Sequence, residues 1–235
     1  MRKHELHTLI AVASSVMSLD SEAQVPEGMT PLLKPDLSGW HWSLTTHHGA
    51  TGIAEYDNGV LYLSQFPYGQ GGLFLTNQRY RNFELYLEAN VPWGINSGIF
   101  LRSTESGSAY QVELVPLAHD SPAMTAVGSL LGEGVAVAPM RPSDLRPIWK
   151  EGWNSFRIRM TGDAPTVTIW VNSRQVLESQ QPRNSKVAGE VDGKIGLQLH
   201  WSATYQPQIA QAAEGRSWRP GVRIGFRNIA IKELP

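Results

Sequence analysis

The sequence predicts an all-β protein, a sandwich or barrel of short strands, on three observations. Apolar residues alternate with polar ones over short runs, and Gly, Pro, Asn and Asp separate those runs at fairly even spacing. Charged residues make up 17% of the 235-residue chain, under the roughly 25% of an average soluble domain, while Gly 22, Pro 15 and Trp 8 supply turns and aromatic surface. No long amphipathic helix is visible either. Ser143 to Lys150, with Pro147 inside it, amounts to a loop or a single turn.

The amino-terminal residues stand apart from this pattern. Met1-Arg2-Lys3 is basic, Leu9 to Leu19 is mildly apolar, and Ser21-Glu22-Ala23 before Gln24 approximates a small-x-small cleavage site. Residues 1–23 therefore read as a secretory signal whose apolar run is too short to span a bilayer, and the expected location is periplasmic or secreted; without such processing it is cytoplasmic. Residues 24–36, punctuated by Pro26, Pro31 and Pro35, read as a lead-in, and residues 37–235 as one domain.

Expected strands follow in order at Gly59 to Gln65, Gly72 to Leu75, Asn82 to Val91, Ser97 to Ser103, Ala109 to Val115, Asn154 to Met160, Thr166 to Asn172, Lys194 to His200 and Val222 to Lys232. In the Asn154 run, Phe156, Ile158 and Met160 take one face and Arg157 and Arg159 the other. Val167, Ile169 and Val171 repeat the pattern, and Thr161 to Pro165 supplies the turn of a hairpin joining the two. Gly69-Gln70-Gly71-Gly72 lacks the strand and helix of a dinucleotide fingerprint and reads as a hairpin turn.

Composition excludes several function classes. Lys+Arg 20 against Asp+Glu 21 leaves a net charge of -1, so neither nucleic acid nor an anionic membrane surface is the expected partner. Cys 0 excludes thiol nucleophiles, cysteine-ligated metals and disulfides. Gly128-Ser129-Leu130-Leu131-Gly132 is not a nucleophile elbow, because the Gly-x-Ser-x-Gly order is missing. No HExxH, EF-hand or Walker sequence is present, no ligand spacing demands a metal, and no cofactor is expected. His47-His48 reads as a surface pair, since neighbours on a strand point to opposite faces.

Alternation also shows which polar residues share a sheet face. Gln111 and Glu113 stand on one side of their strand, opposite Tyr110, Val112 and Leu114, and ~7 Å apart along it. Gln198 and His200 share a face opposite Leu197 and Leu199, and Gly98, Phe100 and Arg102 form a third set. Such spacing suits gripping a polyol or flanking a reacting bond, and it equally suits a solvated outer face. Trp170 falls on the face away from Ile169 and Val171, where an exposed indole offers a platform to a sugar ring.

The ordered landmarks resemble a known family. They are Leu37-Ser38-Gly39-Trp40, Asp57-Asn58-Gly59-Val60-Leu61, Leu75-Thr76-Asn77, Tyr80-Arg81-Asn82-Phe83-Glu84-Leu85 and, most distinctive, Asn96-Ser97-Gly98-Ile99-Phe100-Leu101-Arg102. Tyr110-Gln111-Val112-Glu113, Gly152-Trp153-Asn154, Gly193 to His200 and Phe226 to Leu234 complete the series. The chain is similar over residues 37–234 to the 3-keto-disaccharide hydrolases. It departs from them in carrying Gln111-x-Glu113 where a Glu-x-Gln pair is common, and in a Gln/Ala/Pro-rich insertion at 202–221.

The resemblance implies a concanavalin A-like jelly-roll sandwich of two antiparallel sheets, and a hydrolase acting on 3-keto-glycosides or 3-keto-disaccharides. The ketone acidifies the C2 proton, its loss expels the aglycone from C1, and water adds to the resulting enone. Such a site needs a base, an acid and donors for the developing enolate oxygen. The residues implied are Glu113 or His200 as base or acid, Arg102 with Asn96 as enolate and hydroxyl binders, and Gln111, Gln198, Trp170 and Trp201 against the sugar. Imidazole ordinarily titrates near the required range, whereas Glu113 needs desolvation to do so. The partner implied is thus a small carbohydrate, and the oligomeric state is not indicated. A non-catalytic carbohydrate-binding jelly roll is the alternative reading of the same face, and an interaction domain of a cell-envelope assembly, which fits the near-neutral charge but has no motif behind it, is a third.

Overall fold

The computed structural model describes residues 25–92, 95–115, 127–138, 148–184, 191–200 and 221–235. The strands are β1 (Thr30–Pro31), β2 (Trp40–Trp42), β3 (Ile53–Asp57), β4 (Val60–Ser64), β5 (Gly72–Thr76), β6 (Phe83–Asn90) and β7 (Ser97–Ser103). They continue as β8 (Ala109–Leu114), β9 (Leu130–Glu133), β10 (Trp153–Thr161), β11 (Thr166–Val171), β12 (Arg174–Gln180), β13 (Lys194–Leu199) and β14 (Arg223–Glu233). No helix occurs among the described residues.

Two antiparallel sheets result. The larger runs β12-β11-β10-β6-β14-β4-β3, with β1 beside β14, and the smaller runs β2-β5-β13-β7-β8-β9. Neighbours in each sheet are mostly distant in sequence, the mark of a jelly roll rather than a meander. The expected hairpin between β10 and β11 forms, pairing Phe156 with Val171 and Thr161 with Thr166.

The sandwich core is built from the alternating positions. Leu61, Leu63, Phe83, Leu85, Leu87, Phe156, Ile158, Met160, Val167, Ile169 and Phe226 of the larger sheet are completely buried. They meet Phe74, Ile99, Leu101, Tyr110, Val112, Leu114, Ile195, Leu197 and Leu199 of the smaller. A fully buried leucine or phenylalanine contributes about 1.5–3 kcal/mol, so these interdigitated faces supply most of the drive to fold.

The smaller sheet differs from a simple half-solvated layer. Leu73, Leu75, Phe100 and Ala109 on its other face form a second buried cluster. That face is therefore covered too, and it carries the polar residues discussed below.

Two expectations need correction. Gly69 to Gly72 does not join a hairpin: Gln70 N–H bonds Pro67 O over 3.0 Å in a turn, but β4 belongs to the larger sheet and β5 to the smaller, so the segment crosses between layers. The proline-rich lead-in, read as lying outside the domain, adds a short strand to the larger sheet. Thr30 pairs with Ile231 and Pro31 with Ala230, and Trp40 Nε1 donates to Leu32 O over 2.9 Å. The proposed signal at residues 1–23 lies outside the described residues.

Candidate functional site

Register decides which side chains meet. Gly98 of β7 pairs with Glu113 of β8, Phe100 with Gln111, Leu197 of β13 with Ile99 and Leu73 with Gln198. Because paired residues share a face, Gln198, Gly98 and Glu113 fall in one row across the smaller sheet, with Phe100 and Gln111 in the next. The row continues into Ser129, whose carbonyl accepts from Glu113 N–H over 3.0 Å.

These groups are buried rather than solvated. Gln111, Glu113 and Gln198 are 3%, 4% and 2% exposed. Gln111 Nε2 donates to Glu113 Oε2 over 3.2 Å. Yet Gln111 Oε1, Glu113 Oε1, Gln198 Oε1, Ser129 Oγ and Asn96 Oδ1 have no hydrogen-bond partner. A buried polar atom left unpaired costs about 1–3 kcal/mol, so this concentration of them on one face marks a place built to receive hydrogen bonds from something else.

Glycine shapes the floor. A Cβ on Gly98 would stand 2.6 Å from Gln111 Nε2 and 3.0 Å from its Cγ, so the bare backbone there is what lets the amide lie across β7 toward Glu113. Burial, and second the negative charge of Glu133, push the Glu113 carboxyl up to about 8. It keeps its proton at neutral pH.

His48 joins this face. Its Nδ1 lies 3.2 Å from Gln198 Nε2, and its ring meets Phe100 edge-on with centroids 5.3 Å apart. It is 4% exposed and its Nε2 has no partner. Burial, then the proximity of His47 and His200, lower its pKa to about 3, so the ring is neutral. The surface reading of the pair thus holds for exposed His47 and fails for His48. The reason is local: the chain turns here, with Gly49 N–H bonding Thr46 O over 3.3 Å, and strand alternation does not apply. Gly107, at φ +90, permits the approach, since a Cβ there would collide with Thr46 Oγ1 and Leu73.

The two histidine rings lie 3.9 Å apart, and His47 Nε2 and His48 Nε2 stand 3.5 and 4.0 Å from Glu133 Oε2. Their ligand atoms all fall within 4.8 Å of one another, a grouping able to hold a metal ion. Spacing in the sequence could not reveal it, because Glu133 is far away in the chain. The paired strands β8 and β9 bring Glu133 opposite Ala109.

The remaining expected site residues divide. His200 follows β13, is 9% exposed, its carbonyl accepts from Gln65 Nε2 over 2.8 Å, and it lies close enough to His48 to disfavour protonation there. Asn96 leads into β7. Arg102 is elsewhere. A bulge between Lys194 and Gly196 in the β13–β7 pairing, with Arg102 at φ 51, redirects its side chain across the end of the sandwich. There Nε donates to Arg81 O over 2.7 Å and a terminal nitrogen to Gly162 O over 2.8 Å, both belonging to the larger sheet's loops. Trp170 is on the outer face of the larger sheet, under the Arg157 guanidinium at 5.2 Å, with the whole core between it and Glu113. Trp201 and nearly all of the 202–221 insertion lie outside the described residues.

Comparison with known proteins follows the same lines. Residues 28–232 match the family described as 3-keto-alpha-glucoside-1,2-lyase-like domain. No curated protein matches. Among solved structures, a protein from Parabacteroides distasonis provisionally named a glycosyl hydrolase superposes with TM-score 0.59 at 17% identity, covering 89% of this chain and 95% of that one. A second from the same organism gives 0.54 at 18%, covering 88% and 99%. A Bacillus subtilis protein of unknown function with a galectin-like fold gives 0.53 at 13%, covering 87% and 94%. At these identities the likeness is one of fold, and it agrees with the jelly-roll sandwich.

Proposed function

The chain belongs to the 3-keto-alpha-glucoside-1,2-lyase-like domain family, and on that footing we propose that it cleaves 3-keto-α-glucosides by elimination across C1 and C2, followed by hydration. The observation that carries the reading is the buried, proton-bearing Glu113 carboxyl, with one unpartnered oxygen, among the unpartnered carbonyl oxygens of Gln111 and Gln198. A polyhydroxylated ring supplies the O–H donors those carbonyls lack.

The C2–H bond breaks and its proton passes to a base; the electron pair forms the C1–C2 double bond while the C1–O bond breaks. The departing aglycone oxygen takes a proton from an acid. Water then adds to the enone, hydroxyl at C1 and hydrogen at C2, yielding the free 3-keto sugar. In an α-glucoside C2–H and C1–O are both axial and point to opposite faces, so base and acid are different groups. Glu113, holding its proton below about 8, is suited to be the acid. His200 is assigned as base, and Gln111, Gln198, Ser129 and Asn96 orient hydroxyls.

The test is incubation with 3-keto-α-glucosides and with their unoxidised parents in D2O. Aglycone release from the keto substrates alone, with one deuterium retained at C2 of the sugar, is the expected result. Cleavage of the parents alone makes the protein an ordinary glycosidase, and glycan retention without turnover makes it a binding module.

A further inference from the structure

We propose that His47, His48 and Glu133 form a binding site for one divalent transition-metal ion of the zinc, manganese or iron(II) class, placed beside the Gln111–Glu113–Gln198 face. Two imidazoles and a carboxylate are the donor set such ions prefer, and three protein ligands leave coordination positions free. Metal–ligand bonds of about 2.0–2.2 Å place neighbouring ligand atoms ~3–4 Å apart. The Nε2 atoms lie at 3.5 and 4.0 Å from Glu133 Oε2, so small side-chain adjustments close the shell.

An independent observation points to a ligand. His48 is 4% exposed and its Nε2 is unpartnered while directed at Glu133. Its ring is held by three neighbours: Phe100 in an edge contact, His47 tilted beside it and Gln198 at Nδ1. A metal-bound imidazole presents the lone pair of one nitrogen and needs an acceptor for the N–H of the other. With the ion bound, the Gln198 amide turns over: its oxygen accepts from Nδ1–H and its NH2 group takes the carbonyl's place toward the sugar, donating to a hydroxyl oxygen there. Gln198 is then a positioning residue that sets the tautomer.

The role of the ion rests on the lyase reading, whereas its binding does not. In that chemistry negative charge grows on the C3 oxygen, and Arg102 is committed to carbonyls at the end of the sandwich. A cation held by the histidines supplies the electrophile.

The experiment uses the purified full chain, stripped with a chelator and titrated calorimetrically with Zn2+ and with Mn2+, with Mg2+ as a hard-ion control, in the absence of sugar. The expected result is one equivalent of Zn2+ or Mn2+ bound at micromolar Kd or tighter with a raised Tm, and no comparable binding of Mg2+. His47→Ala and Glu133→Gln, at exposed and half-buried positions, are each expected to weaken binding at least tenfold while the apo Tm stays near wild type. Absence of binding, or binding unchanged in both variants, overturns the site. If the ion binds as expected and 3-keto-α-glucosides are not turned over with it present, the lyase reading fails and the metal site stands.

Discussion

Gln111 donates from Nε2 to Glu113 Oε2 over 3.2 Å, and each of the two side chains is left with one buried oxygen that bonds to nothing. The pair comes from adjacent same-face positions of β8, which is what brings the amide within reach of the carboxyl. What the arrangement holds in common is a carboxyl whose proton is retained and an amide that fixes its orientation.

Glu113→Gln removes the proton donor while keeping the shape. Turnover of a 3-keto-α-glucoside is expected to fall by about 10²–10⁴-fold with KM little changed. In the wild-type protein kcat is expected to decline as pH rises through about 8, where Glu113 loses its proton. A steady-state pH profile checks both; an activity that climbs through pH 8 would reverse the assignment to base.

The same substitution is expected to stabilise the protein at neutral pH. The Glu113 carboxyl is raised from 4.5 to about 8 in the fold, so between those values the unfolded chain releases a proton that the folded chain retains. Stability therefore falls as pH rises through this window. Glutamine has no such dependence, and the variant should gain on the order of 3 kcal/mol at pH 7 and nothing below pH 4.5. Thermal unfolding at pH 4.5, 6 and 8 measures the divergence.

Gly98→Ala places a methyl where Gln111 Nε2 now lies. The amide must swing away and the bond to Glu113 is lost. Catalytic efficiency is expected to drop about 10–100-fold with a stability loss of about 1–3 kcal/mol. A double-mutant cycle with Gln111→Ala checks the cause: the second change should add little once Gly98 is altered.

Arg102→Met is expected to cost stability, about 2–4 kcal/mol, because the carbonyls of Arg81 and Gly162 lose a charged donor. KM of the folded enzyme should stay within a few-fold of wild type. Trp170→Ala should likewise leave turnover of a small substrate unchanged, as the ring lies over Arg157 on the opposite sheet. Kinetics at a temperature well below each variant's Tm separates these effects from catalysis.

Much of this was readable from alternation. Phe156, Ile158 and Met160 against Arg157 and Arg159, or Tyr110 and Val112 against Gln111 and Glu113, follow from a period of two, and the inner faces came out accordingly. Alternation does not say which of two sheets a strand joins, and for that reason Trp170 and Glu113 could not be told apart as belonging to opposite sides. It fails where the backbone leaves the extended region: Arg102 at φ 51, and the turn that buries His48. Short edge strands also escaped it. β3 exposes Ile53, Glu55 and Asp57 and has little apolar signal to show. The burial of the polar face could not be read at all, since His48, which lies against Gln198, stands 150 residues from it in the chain.

The small strand β1 has a further consequence for the behaviour of the chain in solution. One flank of β14 pairs with β6 over residues 225–227 and, past an irregularity, 230–233, and the other with β4 over residues 223–227 and with β1 at 230–231. Removing residues up to 36 would leave the Ile229–Ile231 backbone as an open ribbon of unpaired amides and carbonyls bordered by apolar side chains. Such a ribbon invites a strand from another molecule. A shortened form that begins after Pro35 is therefore expected to clump even where its core folds, which light scattering against the full chain would show.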